Sequence, residues 1–93
     1  MAFKITWTND AKENFRSITN YLLEEWNFEV ADKFSDKLIE ATLQLEKMPF
    51  LGKKHSELSA VRQLIIAPHN LLYYTIIDTD IVILNILDSR IRK

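Results

Sequence analysis

The stretch VRQLIIAPHNLLYYTIIDTDIVILNILD, residues 61–88, decides the fold. It holds three runs rich in Val, Ile, Leu and Tyr, at 61–67, 71–78 and 81–88. Between them lie only Pro68-His69-Asn70 and Thr79-Asp80. Linkers that short cannot hold a crossover helix, so the three strands must pair as an antiparallel meander.

Working outward toward the N-terminus, Pro49-Phe50-Leu51-Gly52-Lys53-Lys54-His55-Ser56 contains the only glycine and one of two prolines, and reads as a loop. Before it, Ala31, Phe34, Leu38, Ala41, Leu45 and Met48 follow a three-four spacing, the inward stripe of a helix that Pro49 ends. Asn27 stops an earlier helix and caps this one. The earlier stripe is Ala11, Phe15, Ile18, Leu22 and Trp26, with Lys12, Arg16, Asn20 and Glu24 in water. Thr8-Asn9-Asp10 offers acceptors for the free N–H groups at its start, and Asp10 with Glu13 has capping-box spacing. With so little chain between them, the helices must fold back as an antiparallel hairpin. Phe3, Ile5 and Trp7 alternate with Lys4, Thr6 and Thr8, the period of a strand with one buried face. The order is β-α-α-β-β-β: an α+β fold in which a helix hairpin packs on a small, mostly antiparallel sheet.

A chain of 93 residues, 47% hydrophobic, suits a single domain over residues 1–93. Without cysteine, disulfides and thiolate chemistry are excluded, which suits the cytoplasm. No signal segment or membrane span is expected. The formal net charge of −1 hides an asymmetry: residues 1–48 are net −3 and residues 49–93 net +2, so an anionic target would meet the second half.

With one glycine no phosphate-cradling loop forms, and the two histidines show no metal-ligand spacing, so neither cofactor nor metal is expected. The acidic residues of the helices sit at solvent-facing spacings. What remains is a sparse set in the second half: Lys53, Lys54, His55, Arg62, His69, Tyr73, Tyr74, Arg90, Arg92 and Lys93. Metal-free phosphodiester cleavage needs a base, a proton donor and cations, and those types are present. Each also has a plainer reading. Lys53, Lys54 and His55 suit a hydrophilic loop, Tyr74 shares a face with Leu72 and Ile76 and suits the core, and His69 sits in a turn. Arg62, inside an apolar strand, requires an edge position or a partner.

Four stretches carry a likeness beyond periodicity. They are Phe3-Lys4-Ile5-Thr6-Trp7-Thr8 with Ala11, Met48-Pro49-Phe50-Leu51-Gly52, Val61-Arg62-Gln63-Leu64, and His69-Asn70-Leu71-Leu72-Tyr73-Tyr74 running on to Ile83-Leu84-Asn85-Ile86-Leu87-Asp88-Ser89-Arg90. In their order and spacing the chain resembles the RelE/ParE toxin superfamily over nearly its whole length. The resemblance implies a toxin of a type II toxin–antitoxin module, of the kind serving plasmid stabilisation, held in check by an antitoxin. Such a chain would work as a homodimer or a toxin–antitoxin hetero-oligomer, off the membrane.

Two branches of that superfamily differ in action. Messenger-RNA cleaving members place an arginine at the entry of the third strand and a catalytic basic or aromatic residue near the chain's end. Here Leu71 and Leu72 stand at that entry and the sequence stops at Lys93. ParE-like members poison DNA gyrase and keep an arginine like Arg62 and a basic segment like Arg90-Ile91-Arg92. The resemblance is closer to them. The expected partner-binding residues are Arg62, Arg90, Arg92, Lys53 and Lys54, with the three arginines brought near one another across the sheet. The rival is a ribosome-dependent endoribonuclease in which Arg62 with Arg90 or Arg92 neutralises the phosphate and His69 or Tyr74 moves the proton. A third reading is a non-toxic module that only binds its antitoxin.

Overall fold

The computed structural model describes residues 3–91. Strand β1 (Lys4–Trp7) leads into helix α1 (Asn9–Glu25), and helix α2 (Phe28–Lys47) returns antiparallel to it. Strands β2 (Lys53–Lys54), β3 (Val61–Ala67), β4 (Asn70–Ile77) and β5 (Asp80–Asp88) complete the chain. The α+β expectation holds, with one addition. Lys53 and Lys54, expected in a loop, form a two-residue strand whose partners are Gln63 and Arg62. So short a strand has no periodicity to detect, and only the neighbouring edge of β3 creates it.

The sheet order is β1-β5-β4-β3-β2. The meander β3-β4-β5 is antiparallel, and β1 adds to β5 in parallel, Lys4 opposite Asp80 through Trp7 opposite Ile83. Both meander turns are two-residue loops. At the second, Asp78 takes the left-handed conformation (φ 56°), which a short polar side chain tolerates and which suits the twist of a tight hairpin.

Of the expected Thr8-Asn9-Asp10 cluster it is Thr8 that caps α1, in place of an Asp10–Glu13 capping box: its hydroxyl accepts from the Ala11 amide and donates to the Ile83 carbonyl, tying the helix start to β5. Asn27 caps α2 by accepting from the Val30 amide, as expected. The stripes bury Ala11, Ile18, Leu22, Ala31, Phe34, Leu38, Ala41 and Leu45, and the sheet supplies Leu72, Tyr74, Ile81, Ile83 and Ile86. Each fully buried Leu or Ile contributes about 1.5–3 kcal/mol relative to exposure. The outer members of both stripes depart from expectation: Trp26 is 55% and Met48 52% exposed, because each follows the last helical turn, where the chain leaves the packed face.

The helices cover one face of the sheet. On the other, the register aligns Ile65, Leu71 and Leu87 across β3, β4 and β5, with the row Lys53, Gln63 and Tyr73 beside it, while at the bulge opposite Tyr73 the Asn85 side chain donates to Asn14 Oδ1 of α1. Ile65 is 75% exposed.

Candidate functional site

The cationic and aromatic residues singled out in the sequence fall into two clusters at opposite ends of the sheet. The first is built around Tyr74. Strand alternation aims its side chain under the helices, where it is fully buried. A buried phenol must place its hydroxyl. The Tyr74 hydroxyl donates to the Pro49 carbonyl and accepts from the Gly52 amide, both at 2.8 Å. Burial pushes this phenol above its ordinary range, with the Gly52 amide and the Arg62 charge opposing in part.

Arg62, opposite Tyr74 in the ladder, closes the same loop from the other side. Its Nη1 donates to the Gly52 carbonyl at 2.7 Å, and its guanidinium lies 5.0 Å from the centre of the Phe50 ring. Of the two settings expected for an arginine in an apolar strand, this one finds a partner and not an edge, since β2 pairs with β3 through Lys54 opposite Arg62. Gly52 is required by space: a Cβ would stand 2.6 Å from Tyr74 Cε1 and Oη and 3.0 Å from the Gln63 carbonyl oxygen. Lys53 and Lys54 follow directly and are exposed, with no acidic partner among the described residues. His55 accepts the Glu57 and Leu58 amides on Nδ1, which ties its ring to the following turn.

The second cluster surrounds Asp88. Its carboxylate, buried at the end of β5, takes Arg90 Nε and Nη2 on its two oxygens, the Arg90 amide on Oδ1 and Asn70 Nδ2 on Oδ2. Burial alone would raise the acid, but the hydrogen bonds from Arg90 and Asn70 outweigh it and hold the group below the usual carboxylate range. The Tyr21 hydroxyl donates to the Arg90 carbonyl, and the guanidinium lies 6.0 Å from the Trp26 ring centre. Beside this network, His69 Nδ1 is 3.2 Å from Ser89 Oγ, both exposed.

Arg62 and Arg90 therefore do not form one patch, contrary to the sequence expectation. Arg62 is level with Tyr74 and Ile83, whereas Arg90 lies past the Asn70–Asp88 pair. That separation is about 20 Å along the strands at roughly 3.3 Å per residue. The reason is the strand order, since β4 separates β3 from β5 and the antiparallel register sends the start of β3 and the end of β5 to opposite ends. Arg92 and Lys93 lie outside the described residues. Tyr74 is likewise five residues from His69, about 16 Å along the strand direction, so the two proton-transfer candidates are not neighbours.

Sequence reasoning missed Gly52, Phe50, Asn70, Asp88 and Tyr21 as members of these clusters. One signal was available: an acid closing an apolar strand two residues before an arginine, with an asparagine opening the preceding strand.

Two surfaces are shaped for contact. A groove of about 1040 Å³ runs along the sheet end beside Ile65, Leu71, Leu87, His69 and Ser89. Another, about 570 Å³, lies along the hairpin against Trp7, Phe15, Leu38 and Ile39, and the Thr19 hydroxyl in its wall is buried with no hydrogen-bond partner among the described residues. Among the described residues no group of acids and histidines could hold a metal, and no helix is long and apolar enough to cross a membrane.

Known proteins resemble this chain in fold. The chromosomal ParDE toxin–antitoxin system of P. aeruginosa contains a chain that superimposes with a TM-score of 0.78 at 22% identity, covering 92% of this chain and 95% of that one. A chain of the RelBE2 toxin–antitoxin complex of Mycobacterium tuberculosis gives 0.65 at 18%, covering 95% and 99%. A conserved hypothetical protein of Helicobacter pylori gives 0.59 at 17%, covering 95% and 96%. No curated protein sequence matches the chain. Identities this low establish the fold, a strand and helix hairpin on a mostly antiparallel sheet. The sequence itself matches the model of the ParE toxin of the type II toxin–antitoxin system parDE over residues 5–92, and the chain belongs to that family.

Proposed function

We propose that this ParE-type toxin acts in the cytoplasm by binding DNA gyrase and stalling it, that a cognate antitoxin neutralises it, and that the pair serves plasmid stabilisation. One observation carries the choice of binding over catalysis. Three of the candidate cleavage groups are spent on structure and kept apart: Tyr74 and Arg62 hold a loop at one end, and Arg90 is committed to Asp88 at the other. Cleavage needs base, acid and cation around one phosphate.

The antitoxin is expected to lay apolar side chains over the Ile65, Leu71 and Leu87 row and into the hairpin groove, where a donor or acceptor on it could satisfy the Thr19 hydroxyl. Binding only the folded toxin, it would raise the melting temperature by mass action.

The test is a pair of reactions run with the purified chain, gyrase supercoiling and ribosomal translation of a reporter messenger. Inhibited supercoiling with intact messenger is expected. Messenger cleavage with normal supercoiling would transfer the activity to the endoribonuclease reading, and no effect in either would leave a module that only binds its antitoxin.

A further inference from the structure

The loop between α2 and β2 is held more firmly than the core requires. Of its side chains only Pro49 is buried, while Met48 is 52%, Phe50 63% and Leu51 41% exposed. Yet the fold commits its buried tyrosine hydroxyl, its only glycine and Arg62 to fixing the backbone from Pro49 to Gly52. The Gly52 amide, its carbonyl and the Pro49 carbonyl are all bonded to side chains from β3 and β4. A loop fixed this way with apolar side chains outward is a preorganised anchor, since the ordering cost of binding has been met in folding.

We propose that this loop is a rigid prong by which the toxin enters an apolar pocket, rimmed by carboxylates, on the protein it inhibits. Phe50 and Leu51 are the prong, and Tyr74 and Arg62 are positioning residues. Charge complementarity sets the rim. Lys53 and Lys54 follow the prong, point to opposite faces of their strand and have no acidic partner among the described residues. Single-stranded nucleic acid fits less well, because the Arg62 guanidinium already covers one face of the Phe50 ring and the other exposed apolar groups, Met48 and Leu51, are not flat.

The proposal rests on the reading of the chain as a binding inhibitor, and the experiment separates the two. Wild type, Phe50→Ala, Lys53→Glu/Lys54→Glu and Tyr74→Phe are induced in bacterial cells and scored for growth arrest. Each is then assayed against purified gyrase, with melting curves confirming the fold. Phe50→Ala and the double charge reversal should lose arrest and inhibit gyrase at least tenfold more weakly at near-unchanged melting temperature. Tyr74→Phe should lose several-fold in potency, even well below its melting temperature, and show faster hydrogen exchange at the Gly52 amide, a readout that a purely structural role would not couple to potency. Wild-type arrest without gyrase inhibition, abolished by the same substitutions, would sink the gyrase reading and keep the prong. Should Phe50→Ala fail to fold, the doubly reversed variant decides, because both lysines are exposed. Full arrest by a folded variant, no arrest by wild type, or loss of binding to an oligodeoxythymidine in place of a protein target would each overturn the prong.

Discussion

The Arg90 guanidinium grips the Asp88 carboxylate through both oxygens, Nε to Oδ1 at 3.0 Å and Nη2 to Oδ2 at 2.6 Å. The acid is buried and the arginine side chain is 18% exposed, so removing one partner strands the other. Arg90→Ala should cost about 3–5 kcal/mol, a large part of a small domain's stability, by leaving a buried carboxylate unpaired. Arg90→Lys should recover only part, since an ammonium cannot make the two-pronged contact. Urea titration of the variants checks both. A change in partner affinity with wild-type stability would return Arg90 to the binding surface.

The same pair sets an acid limit. Because the folded protein holds Asp88 below its unfolded value, which lies near 3.9, the contribution is present above about pH 4 and is lost as pH falls through the folded value. Asp88→Asn should flatten the acid side of the curve of melting temperature against pH. An unchanged acid slope would show that other carboxylates set it.

At the alkaline end the sign reverses. Burial raises the Tyr74 phenol, so the folded state keeps its proton, and the stabilisation present below the unfolded value of about 10 is lost as pH rises toward the folded one. Absorbance titration should show one of the three tyrosines ionising late and together with unfolding. Three tyrosines titrating reversibly near pH 10 would contradict the buried hydroxyl network.

Gly52→Ala should destabilise by about 1–3 kcal/mol, because its Cβ would drive into a ring that cannot move without disturbing the core. Pairing it with Tyr74→Phe should give less than the sum, as both loosen one contact. Strict additivity in denaturant melts would mean that the glycine serves some other purpose.

Ile65 offers the opposite case. At 75% exposure, Ile65→Ser should leave stability within about 0.5 kcal/mol. If the antitoxin covers this row, its affinity should fall by about 1–2 kcal/mol. Calorimetric titration with the cognate antitoxin reads this, and equal affinities would move the interface elsewhere, the hairpin groove being next.

The sequence by itself determined the two helices, their inward faces and every strand but β2. Three- and four-residue spacing in Ala31, Phe34, Leu38, Ala41 and Leu45, and apolar runs separated by two or three residues, are local patterns that burial reads directly. The short links at Pro68 and Thr79 also required the meander, since chain length allows nothing else. Only the tertiary structure decided what the polar side chains do. Whether Arg62 meets Arg90 depends on strand order and register, and both follow from packing of the whole sheet rather than from any neighbouring residue. Tyr74 could be read as core from its face, but its hydroxyl partners lie 22 and 25 residues away. Lys53 and Lys54 become a strand only because β3 offers them an edge. A hydrogen bond is specified by distance and angle between groups remote in the chain, and that information exists only once the backbone has folded.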